Sequence, residues 1–128
     1  MAGNTFPIVG AFYRPPAKAL IEALAVGTPL MLLAEPENEF DKNAVAVWLK
    51  SSDIPEASKE KLEESLPPFG FDMEKITAQD SWHLGYIPKE MAAMLRSSGA
   101  VGTEEPVNVT FSTSTTGAPR VRFEEAPF

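Results

Sequence analysis

The 128-residue chain contains no cysteine and a single histidine, His83. Disulfides, thiolate zinc sites and cysteine nucleophiles are thereby excluded, and one imidazole cannot build a poly-histidine metal site. Phosphate-cradling loops are missing as well, since neither GxGxxG nor GxxxxGKS/T occurs. No serine sits in a GxSxG setting. The most apolar stretches, near residues 17–26 and 29–34, fall far short of the ~20 residues that cross a bilayer. Met1 to Thr5 has neither the basic start nor the apolar run of a signal peptide. There is no internal repeat. These absences lead to the expectation of a cytoplasmic protein with no catalytic step, no metal, no cofactor and no membrane association.

Apolar residues make up 44% of the chain and aromatics 9%, a globular composition. The length suits one domain over residues 1–128, and a domain of ~150 residues buries roughly 70% of its unfolded surface. Twelve prolines call for short, sharply bounded elements. Eighteen acids against eleven bases give a net charge of −7, and the charge is unevenly spread. Residues 51–82 alone carry a net −5, which leaves −2 for everything else. That stretch reads as an acidic insertion outside the main body.

Phe6 to Phe12 (FPIVGAF) is rich in large and β-branched residues and reads as a strand. Gly10 inside it marks a bulge or a close backbone approach. Pro15 and Pro16 set up a helix start. Ala17, Leu20, Ile21 and Leu24 share one face of that helix, and Gly27 is placed to close it. Leu30–Ala34 and Ala44–Leu49 read as strands joined by the turn-rich EPENEFDKN of residues 35–43, with Val45, Val47 and Leu49 on one face and Trp48 on the other. Pro55 to Leu66 reads as a helix within the insertion, stopped by Pro67-Pro68.

Trp82 to Ile87 is again strand-like, and His83 within it reads as a structural side chain. Pro88 starts a helix with Met91, Met94 and Leu95 as its buried face and Gly99 to close it. Val107 to Thr113 alternates with period two. Ser114 to Pro119 is a turn, and Val121 and Phe123 alternate with Arg120 and Arg122, so residues 105–125 form a C-terminal strand pair. The expected fold is mainly β. Five or six short strands close into a small barrel, which removes exposed strand edges, with two flanking helices and the acidic helical insertion. Asp41 with Glu35, Glu37 and Glu39 matches no EF-hand spacing and reads as a solvated loop.

Three segments in this order carry a resemblance: Ile8-Val9-Gly10-Ala11-Phe12-Tyr13; then Glu35 to Val47 (EPENEFDKNAVAV); then Leu84 to Ala92 (LGYIPKEMA). Together they resemble the HIRAN domain, found on some replication-fork-remodelling helicases and as stand-alone bacterial and phage proteins. The resemblance covers most of residues 6–96, and its central segment is the specific part. It implies a small OB-like six-stranded β-barrel that binds single-stranded DNA by capturing a free 3′ end. That role belongs to DNA repair or replication-fork processing.

Carried across residue by residue, the resemblance makes Tyr13 and Phe40 the rings that sandwich the terminal base. Asp41 becomes the acceptor for the 3′-hydroxyl, and Lys42 and Lys89 become phosphate contacts. Base-on-aromatic stacking contributes ~1–3 kcal/mol whatever the base. A carboxylate accepting from a terminal hydroxyl separates an end from an internal nucleotide, whose 3′ oxygen is esterified. Arg14 follows Tyr13, where the DNA-end-binding members have a basic residue before their tyrosine, and is assigned the same charge from the other side. Residues 51–82 also depart from the pattern, since relatives turn directly into the next strand. The alternative expectation is a recruitment domain in which the acidic insertion or the last strand pair contacts a basic partner such as a DNA-processing protein.

Overall fold

A computed structural model describes residues 4–10, 15–65, 80–103, 105–125 and 127. Six strands and three α-helices follow one another among them: β1 (Thr5–Pro7), α1 (Pro15–Ala23), β2 (Pro29–Ala34), β3 (Val45–Lys50), α2 (Glu56–Ser65), β4 (Ser81–Tyr86), α3 (Lys89–Ser97), β5 (Val107–Thr113) and β6 (Pro119–Arg122). A short 3₁₀ turn, Ser51–Asp53, leads from β3 toward α2. The strands form one antiparallel sheet in the order β1-β6-β5-β2-β3-β4. The sheet curls into an open half-barrel.

Strand alternation fixes which face turns inward. Val45, Val47 and Leu49 of β3 are fully buried, as are Leu32 of β2 and Val121 of β6. Leu20 of α1, Leu84 of β4 and Leu95 of α3 complete the same cluster. Each such side chain withdraws enough apolar surface to contribute roughly 1.5–3 kcal/mol. Phe6 and Phe123 meet edge to face at 5.4 Å where the first and last strands run side by side.

The two edges of the sheet touch at one place. Val9 and Tyr86 exchange backbone hydrogen bonds of 2.8 and 2.9 Å. Next to this bridge the β3–β4 register shifts between Val47 and Trp48, so that Gly85 pairs with Val47 and His83 with Trp48. Gly85 is required there by proximity: a Cβ on it would collide with the Val9 carbonyl oxygen and crowd the Ile8 side chain.

Five expectations from sequence are corrected. The barrel is open: among the described residues the two sheet edges pair only at the Val9–Tyr86 bridge. β1 is only three residues long, ending at Pro7, and residues 11 and 12 of the expected strand lie outside the described residues. Gly10 has open space around it, and the close approach falls at Gly85 instead. Gly27 does not close α1. The helix ends at Ala23, with Leu24 N–H reaching the Ile21 carbonyl at 3.3 Å, and Gly27 donates to Phe111 on β5. Met94 is 53% exposed, because the buried stripe of α3 centres on Ala92 and Leu95, and two residues at 100° each carry Met94 to the far side from Ala92. Gly99, at φ +81°, does close that helix, its N–H reaching the Arg96 carbonyl.

Candidate nucleic-acid interface

The loop between β2 and β3 is built around Asn38. Its Oδ1 accepts the backbone N–H groups of Phe40 and Asp41 at 2.9 and 3.0 Å, and its Nδ2 donates to Glu35 Oε1 at 2.9 Å. Asparagine suits this task because one short amide supplies both an acceptor and a donor to nearby backbone. Asp41 Oδ1 accepts the Asn43 N–H at 2.9 Å, a second local turn. Backbone bonds from Asn38 N to Glu35 O, Ala44 N to Asp41 O and Glu35 N to Ala44 O close the base of the loop.

One long-range bond ties this loop to the other side of the site. The Tyr86 hydroxyl, on β4, donates to the same Glu35 Oε1 at 2.9 Å. Glu35 therefore receives two donors, one from the loop and one from a strand 51 residues away. The effect is to tie the base of the loop to the end of β4.

What the loop presents is unusual for a folded chain. Phe40 is 92% exposed, although its ring favours leaving water by a few kcal/mol. It lines an open cleft of about 560 Å³ together with Val9, Asp41, Tyr86 and Lys89. Asp41 keeps its second carboxylate oxygen without a partner among the described residues, and Lys89 makes no ion pair there. A ring face, a free acceptor and a cation therefore border one concave space. That set matches a nucleoside with a hydroxyl and a neighbouring phosphate.

Of the residues expected from sequence, Phe40, Asp41 and Lys89 come together in this cleft. Lys42 is exposed on the same loop but is not part of the cleft wall. Tyr13 and Arg14 lie outside the described residues. Phe40 stands in solvent, and Asp41 holds a turn through one carboxylate oxygen while the other has no partner among the described residues. Sequence reasoning missed Tyr86, Asn38 and Glu35 as parts of the site. The signal for Tyr86 was its place in β4, two positions from buried Leu84 and two before Pro88, at the strand-to-helix corner.

His83 packs inside the fold's own network: its ring stacks on Trp48 at 4.9 Å, and its Nε2 lies 3.0 Å from the Gly85 carbonyl oxygen. Among the described residues no three His, Cys, Asp or Glu side chains gather around a metal-sized space, and no helix is long and apolar enough to cross a membrane. No protein-family model, curated protein or solved structure matches the chain.

Proposed function

We propose that this protein binds single-stranded DNA at a free 3′ end, without a catalytic step of its own, in the service of DNA repair or replication-fork processing. One observation carries the reading: a phenylalanine held 92% exposed on a wired loop, beside a carboxylate with an unclaimed oxygen. The terminal base stacks on Phe40, with Tyr13 as its proposed second ring. The terminal hydroxyl donates to Asp41. Lys89 and Lys42, with Arg14, meet the adjoining phosphates. The half-barrel is compatible with the OB-like architecture that the resemblance implies.

Electrostatics shape what such binding looks like. Phosphate neutralisation supplies most non-specific affinity, and a chain of net charge −7 has little of it to give. Binding is therefore end-dependent and its salt slope shallow, about −0.7 per phosphate engaged. The test is a fluorescence titration with short oligonucleotides that end in a 3′-hydroxyl or a 3′-phosphate. The hydroxyl form binds about tenfold more tightly, because phosphate meets the Asp41 charge and has lost the donor. Asp41→Asn narrows that gap while keeping the turn. Equal affinity for the two ends in the unaltered protein overturns end recognition.

A further inference from the structure

The cleft does not stop at Tyr86. The Tyr86 ring meets the His83 ring edge to face at 4.7 Å, and His83 in turn stacks on Trp48 with centroids 4.9 Å apart and planes 19° from parallel. These three rings form an unbroken row from the cleft wall along β3 and β4. Trp48 and Lys50 alternate with the core residues Val47 and Leu49 and so stand on the opposite face of the sheet, on which Ala46 is itself fully buried. Trp48, His83 and Tyr86 are half-buried, not enclosed.

Charge brackets the row. Lys89 sits at the cleft end, and exposed Lys50 stands two residues beyond Trp48 on the same face, opposite Ser81. Neither lysine makes an ion pair among the described residues. Exposed Asp80 shares the Lys50 end, so the rings and not the ions dominate this surface. From Ala46 to Lys50 the strand advances ~13 Å, room for roughly three or four nucleotides at the ~3.4 Å spacing of stacked bases.

We infer that the outer face of β3 and β4 is a base-stacking track for the nucleotides behind the terminal one, with Trp48 as its far platform. The inference rests on the strand-end reading of the cleft and extends it from one nucleoside to a short single strand. Aromatic rows accept successive bases because every base has a π-face. Phosphates running from Lys89 to Lys50 complete the fit. The track selects an unpaired strand, since a duplex hides the faces of its bases.

The experiment uses the full chain and thymidine oligonucleotides of one to six residues with free 3′-hydroxyls. Affinity rises with length up to about four residues and then levels off, and tryptophan fluorescence is quenched as the longer strands bind. Trp48→Phe keeps binding and loses most of the quench, which separates Trp48 from Trp82. Trp48→Ala loses about tenfold in affinity for the four-residue strand and nothing for the single nucleotide, with thermal melting as its control. Hydroxyl-dependent binding with no length increment and an unchanged Trp48→Phe quench overturns the track and leaves the end site standing. Absence of binding by any oligonucleotide overturns the end site and the track with it.

Discussion

Among the clefts bordered by described residues, two differ in what their side chains are already doing. The larger, about 640 Å³, lies between α1 and the β5–β6 turn, with Ile8, Ile21, Leu24 and Phe111 among its walls. Its charged rim is engaged internally. Lys18 meets Glu22 at 3.8 Å, and Arg120 donates to both the hydroxyl and the carbonyl of Thr5 at 3.1 Å. The smaller cleft holds Phe40, one free oxygen of Asp41 and Lys89. Volume says where a molecule fits, whereas unengaged rings, acceptors and cations say which molecule is recognised. The loop around the smaller cleft is wired by Asn38, Asp41 and Glu35, so its open groups are held beside satisfied ones.

Substitutions can break that comparison. Phe40→Ala carries the largest expected effect, a loss of roughly 5- to 150-fold in oligonucleotide affinity, the 1–3 kcal/mol of one base stack. Its melting temperature stays near that of the unaltered protein, because the ring touches little else. Titration and thermal melting of the same variant check both halves. Lys89→Gln comes next, weakening binding two- to fivefold and lowering the salt slope by about 0.7, as measured across a salt series. The smallest effect belongs to Ala118→Trp, which fills the larger cleft at an exposed position. Oligonucleotide affinity should not change, and a clear loss there would move the site to the apolar cleft.

Local pattern made most of the elements legible. Period-two alternation marked β3 and β5, and the proline at the start of α3 and the glycine past its end bounded that helix. The misreadings share a cause, which is that distant partners decided the outcome. Gly27 was free to cap α1 by its chemistry, yet Phe111 on β5 claimed its N–H. Met94 looked as apolar as Met91, and only the packing around Ala92 and Leu95 separated them. The strand order, with β2 between β5 and β3, follows from pairings across tens of residues that no local window reports.

At the site, Phe40, Asp41 and Lys89 are reached through the resemblance carried by residues 35–47 and 84–92, whereas residue type alone reads Asp41 as part of a solvated loop. Asn38 and Glu35 were visible only as generic turn residues. Their importance lies in who donates to whom, including a tyrosine hydroxyl 51 positions away.

The tether from Glu35 to Tyr86 bears on rates as well as on shape. With the loop base tied to β4 and Asn38 holding the backbone of Phe40 and Asp41, little rearrangement precedes binding, so association runs at the ~10⁵–10⁷ M⁻¹s⁻¹ of ordinary oriented docking. Differences among strands and among variants then surface in how long the captured end stays before it escapes.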